Sequence, residues 1–199
     1  SVTLPESVTH IGVDAFSYCE KLTSINLPEG LVSVGEMAFT GCTSLRSITL
    51  PSTLTYLGAG AFDGCTGLEE IQDLSGTLCK TENGIVYSAD GTRIITILST
   101  CTGDVQIADG VKVIEAAAFA GHNGITSIVL PESVEQVLGE AFARCSALQS
   151  VVLPENLDFV GERLFTNCSS LTSVRLPSNL ERLPESTFEG CKKLTDISL

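Results

Sequence analysis

Positively charged side chains and long apolar runs are both scarce in this sequence. The chain has 11 lysines and arginines against 24 aspartates and glutamates, a formal net charge of −13. Nucleic acids and anionic membrane surfaces bind through clusters of positive charge. A membrane-spanning helix needs roughly 18 consecutive apolar residues, and no run in the chain approaches that length. The composition therefore predicts no nucleic-acid partner and no membrane insertion.

Residues and motifs that carry catalysis are also missing. The only two histidines, His10 and His122, lie far apart in the sequence. The chain contains no zinc-protease motif, no nucleophile elbow, no phosphate-binding loop and no dinucleotide-binding fingerprint. We therefore predict that the protein is not an enzyme and has no catalytic residue, no cofactor and no metal site.

Tryptophan is absent, and the phenylalanines follow a strict interval. Phe16, Phe39 and Phe62 are 23 residues apart. The same interval separates four more of the eight phenylalanines, namely Phe119, Phe142, Phe165 and Phe188. Leu-Pro pairs keep this interval as well, with their leucines at Leu4, Leu27, Leu50, Leu130, Leu153 and Leu176. A fixed period of this length is the signature of a solenoid of stacked repeats.

One repeat is represented by the segment CEKLTSINLPEGLVSVGEMAF, residues 19–39. Its SINL portion alternates polar and apolar residues, which predicts a short strand with Ile25 and Leu27 facing inward. Pro28 ends this strand because it has no N–H to donate. Gly35 is predicted to take a positive φ in the following turn. Stacked units of this kind build a continuous parallel sheet and a shared core.

The period is broken once, in a repeat that spans about residues 74–106. The interval from Leu50 to Ile107 is two periods plus 11 residues, and the excess lies where apolar and polar residues alternate around Asp90 and Gly91, a strong hairpin signal. We predict a leucine-rich-repeat solenoid, mainly β, with a parallel sheet on its concave face. Short strands and turns would form the convex side, with one β-hairpin insertion. Residues 1–199 would make a single domain of about eight units.

Six of the eight cysteines share one repeat position: Cys19, Cys42, Cys65, Cys145, Cys168 and Cys191. Zinc needs ligands that converge on a point, whereas equivalent positions in a solenoid form a line. Disulfides are disfavoured because parallel side chains point the same way. These cysteines are therefore predicted to be reduced, buried and used for packing. Cys79 and Cys101 lie outside this position and flank the hairpin, where they could pair or stay free.

The repeat pattern, C-x-x-L-x-x-I-x-L-P-x-x-L-x-x-I-G-x-x-A-F, resembles the BspA-like (treponemal-type) leucine-rich repeat over the whole chain. The sequence departs from that pattern at His122, where cysteine is expected, and at Leu164 and Thr187, where alanine is expected. Members of that family are typically secreted or surface-attached, mostly bacterial proteins, and several are adhesins. The resemblance implies an extracellular or cell-surface location and binding to a host or neighbouring-cell protein.

Two columns of strand residues are predicted to point outward from the sheet. The first contains Ser24, Ser47, Glu70, Asp104, Ser127, Ser150, Ser173 and Asp196. The second contains Asn26, Thr49, Gln72, Gln106, Val129, Val152, Arg175 and Ser198. Val129 and Val152 interrupt this polar face, and Arg175 follows them. Apolar residues flanked by a cation and hydroxyls are typical of an interface. The candidate partner-binding residues are Ser127, Val129, Ser150, Val152, Ser173 and Arg175.

The resulting hypothesis is a protein-interaction module; the alternative is a carbohydrate-binding or structural spacer module of a longer surface protein. Sugar binding usually needs outward aromatics, for which Tyr56 and Phe159 are the best candidates. Acidic pairs after the prolines (Glu6 with Glu29, Glu132 with Glu155) could be bridged by calcium or form a solvated edge. The chain starts within a strand and stops at Leu199, so we expect a piece of a longer protein. Open strand edges would then favour end-to-end contact between chains.

Overall fold

The computed structural model describes all 199 residues and contains 18 β-strands and no helix. The chain forms two compact units. Unit 1 consists of Ser1–Gly91 with Ile95–Thr100, and unit 2 consists of Thr92–Ile94 with Cys101–Leu199. Each unit is a β-solenoid, as the 23-residue period predicts.

Unit 1 is built from nine short strands and part of a tenth. They are β1 (Val2–Thr3), β2 (His10–Ile11), β3 (Ile25–Asn26), β4 (Ser33–Val34), β5 (Ser47–Leu50), β6 (Tyr56–Leu57), β7 (Glu70–Asp73), β8 (Cys79–Glu82) and β9 (Ile85–Ser88). The strands β1 and β3 form one parallel pair and β5 and β7 another, while β2, β4 and β6 form a three-stranded parallel sheet.

Unit 2 contains two parallel arrays. Its strands are the start of β10 (Arg93–Ile97), β11 (Gly103–Gln106), β12 (Val113–Ile114), β13 (Ile125–Val129), β14 (Gln136–Val137), β15 (Ser150–Val152), β16 (Phe159–Val160), β17 (Ser173–Arg175) and β18 (Asp196–Ser198). The order β11-β13-β15-β17-β18 makes the longer sheet. The strands β12, β14 and β16 pair in sequence, and Arg93 and Ile94 pair with β12.

The register of both units advances by one period from each regular strand to the next, so that equivalent residues lie side by side. Ile48 pairs with Ile71 in unit 1, and Ile128 pairs with Val151 in unit 2. All these inward-facing residues are buried. Since a single repeat of 23 residues is too short to bury its own apolar side, this stacking of repeats is what creates the core.

The phenylalanines form a stacked spine in each unit. Ring centroids of Phe16 and Phe39 are 5.4 Å apart and those of Phe39 and Phe62 are 5.8 Å apart, with rings almost parallel. In unit 2 the spine runs from Phe119 through Phe142 and Phe165 to Phe188, with centroid separations of 5.1, 5.5 and 5.6 Å. These separations lie in the offset-stacking range and confirm the spine that the sequence predicts.

The insertion contains one more turn than the sequence predicts. The strands β9 and β10, which flank Asp90 and Gly91, are hydrogen-bonded neighbours, in agreement with the predicted hairpin. A second, antiparallel pairing joins β8 to β9 through Asn83 and Gly84, whose φ values are 51° and 76°. Asparagine and glycine tolerate this left-handed backbone and are the preferred residues of a tight hairpin turn.

Left-handed backbone recurs at two positions of each regular repeat, and Gly35 is not one of them. The first position holds Asp14, Met37, Gly60, Ala117, Glu140, Arg163 and Ser186. The second holds Tyr18, Gly41, Gly64, Gly121, Arg144, Asn167 and Gly190. The prediction of a positive φ at Gly35 is therefore wrong. Gly35 is required by a close approach, since a Cβ there would lie 2.6 Å from the nitrogen of Val13.

Candidate functional site

The outward face of the longer sheet in unit 2 brings the six candidate residues together. Ser127 pairs with Ser150 and Ser150 with Ser173 in one column. Val129 pairs with Val152, and Val152 pairs with Arg175, in the column beside it. We call these six residues the valine face. Their alternation with buried Ile128, Val151 and Val174 follows from the two-residue period of a strand.

The two valines of this face are open to solvent. Val129 is 45% exposed and Val152 is 36% exposed. Unit 1 offers the natural comparison, because the same column there contains only polar residues: Asn26, Thr49 and Gln72. Valine is favoured in strands, but within this outward column only unit 2 carries it.

Arg175 is held at the edge of the valine face by an ion pair. Its Nη2 lies 3.3 Å from Oε1 of Glu155. The other oxygen of Glu155, Oε2, accepts hydrogen bonds from the backbone N–H and the hydroxyl of Ser178, each at 2.8 Å. These bonds from Ser178, with a further contribution from Arg175, lower the pKa of Glu155. Glu155 therefore stays ionised at neutral pH, and it provides the counter-ion of Arg175 within the protein itself.

Asp104 stands at the end of the serine column. Its Oδ1 accepts hydrogen bonds from the hydroxyls of Ser127 and Thr126, at 2.7 Å and 2.9 Å. Because both bonds favour the charged form, they lower the pKa of Asp104. This end of the face carries a negative charge at neutral pH.

Three acidic residues follow the strands of unit 2 at one repeat position. We call this set, Asp109, Glu132 and Glu155, the acidic edge. Oε2 of Glu132 accepts a hydrogen bond from the backbone N–H of Glu155 at 3.2 Å, just as Glu155 accepts one from Ser178. No group of three or more histidine, cysteine, aspartate or glutamate side chains could hold a metal ion. The hydrogen bonds accepted by Glu132 and Glu155 join successive repeats.

Four of the six repeat cysteines are buried, as predicted: Cys42, Cys65, Cys145 and Cys168. Cys191 is partly buried and Cys19 is exposed, so the prediction is wrong for Cys19, which has no preceding repeat of the chain packed over it. The thiols also do more than fill space. Sγ of Cys145 donates to the carbonyl oxygen of Phe119 at 3.0 Å, and Cys168 donates to Phe142 at the same distance.

Burial makes the thiols of the four buried repeat cysteines unreactive. It raises the pKa of Cys42 to about 11 and that of Cys168 to about 12. The thiolate is the nucleophile and the metal ligand, and at neutral pH almost none is present. Cys79 and Cys101 are also buried free thiols, and burial raises the pKa of each. None of these cysteines is poised for catalysis.

The three departures from the repeat pattern are all accommodated in the core of unit 2. His122 takes the cysteine position and is 5% exposed. Burial lowers its pKa from 6.5 to about 4, so the ring is neutral at pH 7. Leu164 is fully buried, and the hydroxyl of buried Thr187 donates to the carbonyl oxygen of Pro184 at 2.7 Å.

Tyr56 and Phe159, the candidate sugar-stacking residues, lie in the shorter arrays rather than on the main sheet faces. Tyr56 is 51% exposed in β6 and Phe159 is 50% exposed in β16. Tyr56 is flanked in register by Ser33 and Phe159 by Gln136, so neither has a second aromatic beside it. The structure also contains no helix with the length and apolar character of a membrane span.

Comparison with known proteins agrees with this architecture. The BspA type leucine rich repeat region, in six copies, matches residues 1–104 and 98–199. Because these matches cover the chain from its first residue to its last, the chain belongs to the BspA-type leucine-rich repeat family. No curated protein matches the chain.

Solved bacterial proteins share the fold. A leucine rich cell surface protein from Faecalibacterium prausnitzii A2-165 has a TM-score of 0.80 and 29% identity, over 99% of this chain and 59% of that one. The pneumococcal vaccine antigen PcpA has a TM-score of 0.79 and 22% identity, over 98% of this chain and 55% of that one. A Treponema pallidum leucine rich repeat protein has a TM-score of 0.51 and 28% identity, over 98% and 67%. The chain thus spans less than two thirds of the length of the first two of these proteins.

Proposed function

We propose that this chain is a non-enzymatic protein-interaction module of a bacterial surface or secreted protein, with an adhesin-like role. It would bind an extracellular protein through the valine face. Leucine-rich repeats of this type are typical of bacterial surface proteins and interaction modules, and one structural relative is described as a cell surface protein. Solenoids of stacked repeats use their extended sheets as binding surfaces.

The observation that carries the proposal is the pair of exposed valines in register. Val129 and Val152 lie on neighbouring strands, about 4.8 Å apart, and both are open to solvent. Hydroxyl groups of Ser127, Ser150 and Ser173 line one side of them. An apolar centre with a polar rim is the usual anatomy of a protein interface.

The alternative of a carbohydrate-binding module has weaker support in the geometry. Sugar rings stack on aromatic side chains, and the main sheet faces of both units carry none. Tyr56 and Phe159 each stand alone in a shorter array. A purely structural spacer, in turn, gives no reason for exposed valines in unit 2 where unit 1 has asparagine and threonine.

The test compares proteins captured by the wild-type chain with those captured by a chain carrying Val129→Asp and Val152→Asp. We expect an extracellular protein whose affinity falls at least tenfold in this variant, about 1.4 kcal/mol, with an almost unchanged unfolding midpoint because the valines face outward. The matched control is Asn26→Asp with Thr49→Asp, which adds the same charge at equivalent positions of unit 1.

Two results would count against the proposal. If the Asn26 and Thr49 variant weakens binding as much as the valine variant does, the added charge rather than the valine face is responsible. If no captured protein distinguishes the valine variant from the wild type, the valine face is not the binding surface.

A further inference from the structure

The acidic edge lies within reach of an arginine that stands on the valine face, and Arg175 demonstrates this. Arg175 occupies the second outward column, next to Val152. From there its guanidinium reaches Oε1 of Glu155 at 3.3 Å. A cation above the valine column therefore needs only the length of one arginine side chain to pair with the acidic edge.

The other two members of the acidic edge, Asp109 and Glu132, have no arginine partner of the kind that Glu155 has. Asp109 and Glu132 are the equivalents of Glu155 in the two preceding repeats, and both are exposed. The column positions that correspond to Arg175, 20 residues beyond each carboxylate, are Val129 for Asp109 and Val152 for Glu132, and neither carries a charge. No ion pair is formed by Asp109 or Glu132.

Further carboxylates stand at both ends of the valine face. Asp104 begins the serine column and Asp196 ends it. With the three residues of the acidic edge, the valine face and its borders carry five carboxylates, against one arginine that is already paired. A partner that buried the valines beneath acidic or neutral side chains would leave these charges unpaired.

We propose that the partner segment docking on the valine face presents aliphatic side chains flanked by lysine or arginine. This inference rests on the proposed function and specifies the chemistry of the partner. The aliphatic side chains cover Val129 and Val152, and the cations pair with Asp109 and Glu132 as Arg175 pairs with Glu155. Complementary charge at the rim speeds encounter and selects the partner, while apolar contacts at the centre hold it.

The experiment selects a displayed library of randomised peptides on the whole chain. A parallel selection on the Val129→Thr, Val152→Thr variant removes every peptide that binds elsewhere. This variant has the wild-type net charge and the residue type that unit 1 carries at Thr49. Cationic peptides that bind only because the protein is acidic will bind this variant as well and are discarded. The remaining peptides depend on the valines.

We expect the valine-dependent peptides to combine aliphatic residues with an excess of lysine and arginine over aspartate and glutamate. The Kd of a selected peptide should rise at least tenfold in the Asp109→Asn, Glu132→Gln variant, which keeps a hydrogen-bond acceptor at both positions and leaves the Arg175–Glu155 pair intact. It should stay unchanged in the Glu6→Gln, Glu29→Gln variant, which loses the same charge at equivalent positions of unit 1. Binding should also weaken as sodium chloride rises from about 0.05 M to about 0.3 M.

The possible failures are distinguishable. Valine-dependent peptides that are neutral or acidic would overturn the cationic partner and leave the valine face as a binding surface. So would peptides whose Kd is unchanged both by the Asp109→Asn, Glu132→Gln substitutions and by salt. A selection that yields no valine-dependent peptide at all would overturn both proposals.

Discussion

The cysteine side chain meets two requirements of the repeat at once. It is small enough for the packed corner between neighbouring repeats, and its Sγ hydrogen donates to a phenylalanine carbonyl in the repeat before. Cys42 donates to Phe16 at 3.2 Å and Cys65 to Phe39 at 3.1 Å. Alanine would fit but could not donate this bond. This explains why cysteine recurs where a packing argument alone would accept several residues.

His122 makes the stability of unit 2 depend on pH. Its folded-state pKa of about 4 lies below its ordinary value of 6.5. Between these values the unfolded chain binds a proton that the folded chain does not. The stabilising effect of the neutral ring is therefore complete above about pH 6.5 and is lost as the pH falls towards 4. The loss amounts to about 3 kcal/mol.

The variant His122→Cys should remove this dependence, because it restores the residue of the repeat pattern and has no titration in that range. We expect the free energy of unfolding of the wild-type chain to fall more steeply than that of the variant between pH 6.5 and 4. Urea unfolding at a series of pH values measures both. Carboxylates such as Asp104 and Glu155 titrate in both chains and cancel in the difference. Parallel curves would show that the buried imidazole does not control acid stability.

Neighbouring repeats pack so closely at Gly35 that no side chain can be added there. A Cβ on Gly35 would lie 2.6 Å from the nitrogen of Val13 and 2.7 Å from the carbonyl carbon of Gly12. Both contacts are to backbone, which cannot rotate away. Gly12 holds the same position one repeat earlier and has no atom within 4 Å of where its Cβ would be.

We therefore expect Gly35→Ala to destabilise the protein by about 1–3 kcal/mol, the usual cost of overpacking. Gly12→Ala should change the free energy of unfolding little, because its φ is not left-handed. Chemical denaturation of both variants provides the measurement. Equal effects of the two substitutions would mean that the close approach between repeats is not what selects glycine.

The elements that could be predicted from sequence are those with a chemical signature at a fixed interval. Phe39 and Leu27 mark the core because large apolar side chains recur there, and the outward columns follow from strand alternation. The left-handed residues could not be predicted because Met37 gives no sign of such a backbone. Only the alignment with Gly60 of the next repeat, which tolerates positive φ freely, offers a hint.

The candidate site likewise has features that the sequence predicts and features that it does not. The exposure of Val129 and Val152 follows from their place in the strand. The pairing of Arg175 with Glu155 does not, because the two residues belong to successive repeats and the direction of each long side chain is set by its surroundings. Sequence alone therefore places Arg175 beside the valines, and the structure adds its partner, Glu155.

The charge of the whole molecule opposes its compact state. The chain has 24 acidic and 11 basic residues, and its ion pairs are largely exposed. Exposed pairs contribute only about 0–1 kcal/mol each, so repulsion among the surplus carboxylates is the larger effect of charge. Added salt screens both.

We expect the midpoint of thermal unfolding to rise as sodium chloride increases from about 0.02 M to about 0.3 M. Differential scanning calorimetry measures it. The Glu6→Gln, Glu29→Gln variant should gain less from salt, because it has fewer carboxylates to screen. A midpoint that falls with added salt would show that the ion pairs outweigh the repulsion.

The step of one period between paired strands has a consequence for how this surface can evolve. Recombination within the gene that removes residues 130–152, one whole period that includes β14 and β15, would leave every remaining strand with an equivalent neighbour. The spine and the cysteine bonds would close again, but Val129 would now stand beside Arg175, and the pair of valines would be gone. A deletion that shifts the register of a strand by one residue would instead turn its core residues outward. Gain and loss of whole repeats can thus change the outward face of the sheet while the fold is inherited intact.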